Sequence, residues 1–389
     1  MAAPLNPESP KTQKGEPCPL RVLHLLGAQE DHGGVLTVLR SIEEASHPRR
    51  WQNSVVVHEG YVEKRLPRLQ YLFSKHLVDE CTNHVRLLLH TARAWPEIRR
   101  LLKLNRFDVV HGQSRGSLGI VIWMAAVLRR PVVYTFHARA NRIGLYRWAA
   151  GLKHFHSVLI AEDMVEYYQL PSNSPRVTVI PSACAQHFFE RPLAHGQHRS
   201  NPQRKFRMLG IGSLVRWKNW DLVPNAIAAL PPTLRDRIEF HHWGQTLGDE
   251  DSRCYAAELE SRIQMLRLQD QVVLHGPTAD IAQMLEDADW LIHPTTNEPA
   301  GLVIAEAIAM GVPALVSASG GPKYTVTPGR NGLHFRPGDI EDLAAKLAAI
   351  LEDRSPVASP GALRESVRSR SAEAMVESLA KVYATCLAK

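Results

Sequence analysis

Short apolar runs alternate with amphipathic segments along nearly the whole chain, and this alternation restricts the possible folds more than any other feature. Strand candidates in the first half are RVLHLL, NSVVVHEG, FDVVHGQS, RPVVYTFHA, SVLIAED and RVTVIPSA. In the second half, runs such as FRMLGIGSL, IEFHHWG and PALVSA alternate with helix candidates such as GLVIAEAIAM and IEDLAAKLAAILED. Strands that alternate with helices form parallel sheets covered by helices on both faces. The pattern predicts an α/β chain with two doubly wound domains that face a cleft, with ligands beyond the carboxyl ends of the strands.

The length of the chain also favours two domains. Its 389 residues correspond to two cores of roughly 180 residues each. We predict a disordered tail over 1–19, a first domain over 20–190, a linker over 191–205, a second domain over 206–365 and a C-terminal helix over 366–389 that packs back across the domains.

The composition excludes several classes of protein. No apolar stretch approaches the roughly 18 residues of a membrane span, and the polar, Pro-rich start lacks the apolar core of a signal peptide, so a cytoplasmic protein is expected. The five cysteines are scattered and form no CxxC pair. They therefore support neither a zinc site nor a disulfide framework.

The net charge of +7 is concentrated in the first half of the chain. Residues 1–200 carry 26 Lys and Arg against 16 Asp and Glu, whereas residues 201–389 carry 20 against 23. The asymmetry indicates either ordinary solubility or an anionic acceptor or membrane surface for the first half. Because the basic residues are dispersed and lack a nucleic-acid-binding motif, no nucleic-acid partner is expected.

One segment offers a candidate for membrane contact. In LPRLQYLFSKHL (66–77), helical spacing puts Leu66, Leu69, Phe73 and Leu77 on one stripe. The stripe predicts one of two structures. It is either a surface helix that packs on the first core or a helix in peripheral contact with an anionic membrane, at the inner face of the cell membrane.

The stretch NEPAGLVIAE places two acids, Glu298 and Glu306, eight positions apart. It follows a buried strand, DWLIHPT, and contains a glycine turn at Gly301 and the start of an apolar helix. The backbone N–H groups at a helix start form a ready anion site. A carboxylate inside an apolar helix needs hydrogen-bond donors, and a vicinal diol can supply two. The alternative is a capping acid favoured by the helix dipole and a salt-bridged helix residue.

The segment HPTTNEPAGLVIAEAIAMGVPALVSASGGPKYTVTPGRNGLHFRPGDIEDLAAKL (293–347) resembles the signature region of retaining, nucleotide-sugar-dependent glycosyltransferases of the GT-B fold, of the group 1 or family 4 type. The similarity extends more thinly over about 20–385. It implies a GT-B architecture: two Rossmann-like domains, with the acceptor bound mainly by the first and the nucleotide-sugar donor mainly by the second.

The resemblance assigns roles to residues of the second domain. Glu298 would contact the donor sugar, and Glu306 the ribose. The backbone at Gly301, Leu302 and Val303 would hold the diphosphate. The family carries a basic pair after the first strand of this domain, which falls on Arg216 and Lys218 in GSLVRWKNWDLV. Two cations there would neutralise the charge that develops on the leaving nucleoside diphosphate, although both could be solvated loop residues.

The first domain offers weaker matches. Gly33 and Gly34 resemble the family's glycine loop, where backbone can approach the donor phosphates or the acceptor. His137, at the end of the strand in VVYTFHA, would lie near the donor sugar, and His111 is a further candidate of the same kind.

The sequence departs from the family in three places. Ala300 stands where an aromatic is common, Tyr324 stands where an acid is usual, and PSACA (181–185) replaces a PNGVD-like interdomain motif. These positions bear on donor identity and on closure of the cleft.

The predicted function is transfer of a sugar, with retention, from a nucleoside diphosphate to an acceptor hydroxyl on a glycan or lipid-linked acceptor. The resemblance implies that Glu298 orients the sugar, that the departing phosphate takes the acceptor's proton, and that neither a metal nor a cofactor is required. The alternatives are a GT-B sugar-nucleotide epimerase or hydrolase, or a non-catalytic nucleotide-sugar-binding protein. A dehydrogenase is disfavoured because no GxGxxG follows any strand.

Overall fold

The computed structural model describes residues 19–30, 34–49, 51–62, 69–193, 204–278 and 280–388. The predicted tail, except Pro19, lies outside the described residues, as does most of the predicted linker, from 194 to 203.

The first half of the chain forms a seven-stranded sheet in which every pair of neighbouring strands is parallel. The strand order is β3-β2-β1-β4-β5-β6-β7. The strands are β1 (Arg21–Leu25), β2 (Gln52–His58), β3 (Gln70–Ser74), β4 (Val109–Gly112), β5 (Val132–Phe136), β6 (Phe155–Leu159) and β7 (Val177–Val179).

The helices of this half cover both faces of the sheet and leave two apolar cores. They are α1 (Gly34–Ser46), α2 (His84–Leu104), α3 (Leu118–Ala126), α4 (Gly144–Ala150), α5 (Asp163–Tyr167) and α6 (Gln186–Glu190). Strands β4, β5 and β6 are buried along their whole length, as parallel strands between two helical layers must be.

The second half forms a six-stranded parallel sheet in the order β10-β9-β8-β11-β12-β13. Its strands are β8 (Phe206–Ile211), β9 (Ile238–Trp243), β10 (Val272–His275), β11 (Trp290–His293), β12 (Ala314–Ser317) and β13 (Gly332–Phe335).

The helices of this half again cover both faces of its sheet, except the last of them, which packs on the first half of the chain. They are α7 (Leu222–Ala228), α8 (Pro232–Arg235), α9 (Glu250–Met265), α10 (Ile281–Glu286), α11 (Leu302–Ala309), α12 (Pro322–Thr325), α13 (Ile340–Leu351), α14 (Pro360–Ser366) and α15 (Ala372–Leu387). The expected α/β class with two doubly wound parallel-sheet domains is confirmed.

The order of strands reverses between β1 and β4 in the first sheet and between β8 and β11 in the second. Ligands of such sheets bind beyond the carboxyl ends of the strands at this point. The loops after these four strands are therefore where a site is expected.

The expected helix over 66–77 is wrong in the part that the structure describes. Residues 63–68, with Leu66, lie outside the described residues, and Gln70–Ser74 form the edge strand β3, which pairs with β2. Leu69 and Leu77 are buried, but Phe73 is 53% exposed. The period-4 spacing was misleading because pairing with β2 decides the local conformation, so the amphipathic helix proposed for membrane contact does not exist there.

The helix α15 packs on the first half of the chain. Its Met375, Val376 and Leu379 share an apolar core with α1, β1 and β2. The Tyr383 hydroxyl lies 2.7 Å from His111 Nδ1. Within the described residues, no helix combines the length and hydropathy of a membrane span.

We expect Leu379→Ala to destabilise the protein by about 2–5 kcal/mol, since Leu379 is fully buried and its truncation leaves a cavity. Leu387→Ala, near the exposed end of the same helix, is the matched control and should change stability little. Urea unfolding measures both. Equal effects of the two substitutions would contradict the packing of α15 described above.

Candidate functional site

The turn between β11 and α11 is built around glycine. Gly301 caps α11 with a left-handed backbone, φ 64° and ψ 61°. The positive φ favours glycine at position 301, and a side chain there would also require Ile304 Cδ1, at 2.8 Å from a Cβ, to shift. Glu298 lies in this turn at the carboxyl end of β11, and Glu306 lies within α11.

Two further glycines, Gly320 and Gly321, pack against the backbone of this turn. Gly321 N donates to Glu298 O at 3.0 Å. A Cβ on Gly320 would lie 2.4 Å from Glu298 O, and one on Gly321 would lie 2.1 Å from Pro299 O. The GGP sequence therefore gives the following loop the close approach that fixes the backbone of Glu298.

Glu298 is a largely buried carboxylate, with its side chain 13% exposed, and is held in its ionised form. Its Oε2 accepts a hydrogen bond from Lys218 Nζ, and His293 Nε2 lies 3.5 Å from the same oxygen. Burial alone would raise the pKa of Glu298, but the His293 imidazole and the Lys218 ammonium outweigh it and lower that pKa to about 2. The carboxylate is thus charged at any physiological pH.

Lys218 reaches Glu298 from the other strand at the point of reversal. It follows β8 in a short 3-10 turn, Arg216–Lys218, which Asn219 ends in the left-handed region at φ 54°. The Asn219 side chain donates to Thr296 Oγ1 at 3.1 Å and so ties the two loops together.

Arg216 points elsewhere. Its guanidinium pairs with both oxygens of Glu258 at 2.7 Å and with Asp251 Oδ1 at 2.9 Å, both on α9. Of the two predicted cations, the structure therefore brings only Lys218 to Glu298. A diphosphate role for Arg216 would require it to leave these exposed ion pairs and stays a prediction.

Glu306 is buried with 6% exposure, and its carboxylate forms no hydrogen bond or ion pair with any residue that the structure describes. Burial raises its pKa to about 7. A buried acid without a partner costs stability. The site therefore contains an acceptor that a ligand with hydroxyl donors could satisfy.

The start of α11 faces the first domain. A Cβ on Gly34, at the start of α1, would lie 3.6 Å from Leu302 Cδ1. Ala300 packs against the core of the first domain. Leu302 thus lies beside Gly34 where the halves meet, whereas Val303 packs against the core of the second half and Gly33 falls outside the described residues.

A further contact joins the halves beside the turn. Arg139 Nη1 donates to Asn297 Oδ1 at 3.1 Å, and its other nitrogen pairs with Asp163. Because Arg139 follows His137 by two residues, this bond brings the loop after β5 to the loop that carries Glu298.

His137 lies in a cavity of about 220 Å³ that Gly34, Gln113 and Arg115 also line. Burial lowers the pKa of His137 to about 4, so the ring is neutral. Its Nε2 lies 2.7 Å from Gln113 Oε1. His111, in contrast, uses both ring nitrogens inside the protein, on Tyr383 and Thr135.

A chain of buried hydrogen bonds fixes the tautomer of His137. Asn53 donates through Nδ2 to the Glu43 carboxylate at 2.6 Å, so Asn53 Oδ1 accepts from His24 Nε2 at 3.3 Å. His24 Nδ1 then accepts from Gln113 Nε2 at 3.0 Å, which leaves Gln113 Oε1 to accept from His137 Nε2. His137 therefore keeps its proton on Nε2 and presents Nδ1 as an acceptor.

Sequence reasoning missed Gln113, His24 and His293. Each lies at or near the carboxyl end of a predicted strand, which was the available signal, but their partners depend on the register of strands distant in sequence.

Of the three positions that depart from the family pattern, Tyr324 is 42% exposed and Cys184, in the PSACA segment, is fully buried. Across the described part of the chain, no group of three His, Cys, Asp or Glu side chains could hold a metal ion.

Comparison with known proteins identifies this arrangement. HepE of Anabaena, solved in complex with UDP, superposes with a TM-score of 0.75 at 20% identity over 94% of this chain and 100% of HepE. The two-sheet architecture is thus a GT-B fold.

Family models and curated relatives agree with the fold. The model described as Glycosyl transferases group 1 matches 194–372, and the model described as Glycosyltransferase Family 4 matches 32–185. The D-inositol 3-phosphate glycosyltransferase of Thermobispora bispora is 28% identical over 319 residues, which are 72% of this chain and 73% of that protein. The alpha-monoglucosyldiacylglycerol synthase of Streptococcus pneumoniae is 26% identical over 59% of this chain and 56% of its own length.

The chain belongs to the GT-B glycosyltransferases of the group 1 and family 4 type. The predicted family and fold are confirmed, and the roles assigned to individual residues stay predictions.

We expect Lys218→Met to destabilise the protein by about 3–5 kcal/mol, because it leaves the Glu298 carboxylate buried without a cation. Arg216→Met is the matched control in the same turn and should have a far smaller effect, since its ion pairs are exposed. Urea unfolding at neutral pH compares them. If Arg216→Met is as damaging as Lys218→Met, the ion pair at Glu298 is not what stabilises these loops.

We expect Glu306→Gln to stabilise the protein at pH 8 and to be neutral near pH 4. The folded pKa of Glu306 is raised to about 7, so the folded state binds this proton more tightly than the unfolded state. The resulting stability is fully present below the unfolded pKa and is lost as pH rises through 7. Glutamine removes this loss, which is worth about 3 kcal/mol at pH 8.

Urea unfolding of wild type and Glu306→Gln between pH 4 and 8 measures this difference. Glu260→Gln, an exposed position on α9, is the control for a carboxylate of ordinary environment. A wild-type and Glu306→Gln difference that does not change with pH would refute the buried, proton-binding state of Glu306.

Proposed function

We propose that this protein transfers a sugar, with retention of configuration, from a nucleoside-diphosphate sugar to an acceptor hydroxyl. The observation that carries the proposal is Glu306: a buried carboxylate without a partner among the described residues, eight residues after an ionised Glu298 in the turn before the helix. Two ribose hydroxyls would satisfy Glu306, and no other described feature explains why a protein would keep an unpaired acid there.

In this proposal the donor lies along the turn between β11 and α11. The ribose binds Glu306, and the diphosphate lies against the free N–H groups at Leu302 and Val303. The sugar contacts Glu298. Lys218, now paired with Glu298, would turn to the diphosphate or bridge both groups, and its charge would stabilise the leaving group as the glycosidic bond breaks.

The chemistry needs little from protein side chains beyond position and charge. The acceptor hydroxyl attacks from the face that the diphosphate leaves, and a departing phosphate oxygen takes its proton. Glu298 then orients the sugar and favours positive charge at its anomeric carbon. His137, neutral and with Nδ1 as an acceptor, would receive a hydrogen bond from a sugar hydroxyl. The positive charge at the diphosphate comes from Lys218 and the helix start, so we propose a reaction without a metal.

The acceptor side of the proposal rests on relatives and on charge. One relative is named for inositol phosphate and another for diacylglycerol glycolipid. A cavity of about 320 Å³ beside Tyr146 is lined by Arg115 and Arg142. We therefore propose a glycan or lipid-linked, anionic acceptor and a role in polysaccharide or glycolipid biosynthesis at the cytoplasmic face of the cell membrane.

A thermal-shift panel with UDP, GDP, ADP and their common sugars tests the donor site, with UDP first because HepE is solved with it. The matching nucleotide at saturating concentration should raise the melting temperature by on the order of 5 °C. Glu306→Ala should weaken its binding by roughly ten- to a hundredfold, since hydrogen bonds to a charged acceptor are lost. Binding to wild type should tighten as pH rises through 7, because the hydroxyls need the ionised carboxylate.

Glu306→Gln separates folding from binding, because it should fold at least as well as wild type yet bind nucleotide less tightly and without the pH dependence. Glu298→Gln should bind nucleotide and lose turnover with the sugar donor. If no nucleotide stabilises the wild type, the donor site is not functional and a non-catalytic role takes its place. Full turnover in Glu298→Gln would remove Glu298 from the mechanism.

A further inference from the structure

The segment from 81 to 161 carries an unusual share of the chain's positive charge. It contains 13 Lys and Arg against only two acids, Glu97 and Asp108, a net charge of +11 that exceeds the +7 of the whole chain. The segment runs from the start of α2 to the end of β6. All of these cations lie on the first domain, and five of the thirteen lie on α2 alone.

The outward face of α2 combines this charge with exposed apolar side chains. The helix buries Leu87, Ala94 and Ile98 against the domain. Opposite that stripe, Val85, Leu88, Leu89 and Leu104 are 53–70% exposed. The exposed cations interspersed among them are Arg86, Arg93, Arg99, Arg100 and Lys103.

None of these five cations forms an ion pair with another described residue, and the outward face of α2 contains no acid. Glu97, the acid of this helix, is turned toward His76 and Ser74 instead. A solvated helix would normally mix charges of both signs and expose few leucines.

The end of α3 extends the same surface. Gly119 lets α3 approach α2 closely, since a Cβ there would collide with Thr91 of α2, and the rings of Trp95 and Trp123 lie 6.4 Å apart. Trp123, Val127 and Leu128 are 43–53% exposed, and Arg129 and Arg130 follow them. Half of the sixteen large apolar side chains exposed in the described chain lie between 85 and 148. Their clustering marks a binding surface.

This basic-apolar surface, formed by the outward face of α2 and the end of α3, begins beside the candidate site. Asn83 and His84, at the start of α2, line the cavity that contains Arg115 and Tyr146. Arg115 and Tyr146 also line the cavity of His137 and Gly34, so the two cavities adjoin. A surface bound at α2 would therefore lie at the mouth of the proposed acceptor site.

We propose that the outward face of α2 and the end of α3 dock the protein on an anionic lipid surface, and this rests on the proposed transfer to a membrane-held acceptor. Leucine, valine and tryptophan side chains insert into the headgroup region while the arginines bind lipid phosphates. An acidic protein would match the charge but would leave the exposed leucines unexplained. The lipid surface accounts for both.

Sedimentation with vesicles tests the proposal on the full chain. Wild type should bind phosphatidylcholine vesicles that contain phosphatidylglycerol, bind pure phosphatidylcholine far less, and lose affinity as salt is raised. Arg93→Gln/Arg99→Gln should weaken binding by roughly fivefold for each arginine removed. Leu88→Ser/Leu89→Ser should weaken it by about tenfold.

The matched controls carry the same changes at exposed positions of the second domain: Arg267→Gln/Arg330→Gln for charge and Leu247→Ser/Met265→Ser for apolar area. Both should bind vesicles like wild type. Failure of wild type to bind anionic vesicles overturns the proposal. So does binding that the leucine pair leaves unchanged, because the surface would then be an electrostatic patch for some acidic partner.

Nucleotide stabilisation of the same variants separates this proposal from the donor site. It should be unchanged in all four, since none touches the turn between β11 and α11. Vesicle binding that fails while nucleotide binding persists removes only the lipid surface. Loss of nucleotide binding in wild type removes the proposed function instead.

Discussion

The ion pair between Glu298 and Lys218 joins the loops that follow β11 and β8, the two strands between which the order of the second sheet reverses. A carboxylate removed from water stays charged only where nearby cations or hydrogen-bond donors compensate its burial, as Lys218 does for Glu298. The position of Lys218 therefore decides whether the turn at Gly301 can exist as it does. The turn also orients the start of α11 towards the first domain, where Leu302 lies beside Gly34. The geometry of the cleft follows from one charge interaction and the glycines that let backbone approach it.

Glu306 differs from Glu298 in how its burial is compensated. No described residue compensates its burial, and the raised pKa means that the folded protein is less stable at neutral pH than it would be with glutamine. Local destabilisation of this kind is typical of binding sites, where the missing partner is the ligand. The two acids thus differ in role within eight residues. Glu298 is held in its charged form by the protein, whereas Glu306 would accept hydrogen bonds from the hydroxyls of a ligand in the proposed site.

A feature of this structure can be predicted from the sequence when the residues that determine it lie close together in the chain. The alternation of strands and helices, the turn at Gly301 and the burial of Glu306 are local in sequence, and reasoning from the pattern recovers them. The pairing of Arg216 with Asp251 and Glu258 is not local, because it needs the packing of α9 against the loop after β8. The strand Gln70–Ser74 was mistaken for helix since its pairing with β2, not its spacing of leucines, decides its conformation. Gln113 and His24 acquire their roles only through the register of β1 against β4.

The first domain contains both the imidazole proposed to contact the donor sugar and the helix proposed to contact the membrane. Its hydrogen-bond chain from Glu43 to His137 fixes one neutral imidazole at the cleft, while α2 runs from the mouth of the adjacent cavity along the outside of the domain. In the proposed reaction, a hydroxyl presented from a lipid surface at α2 would enter through that cavity. Docking by the first domain also leaves the second domain, which is near-neutral in charge, free to move against it as donor enters and diphosphate leaves. Under this proposal the uneven charge of the chain has a physical reason, because only the first half would meet the membrane.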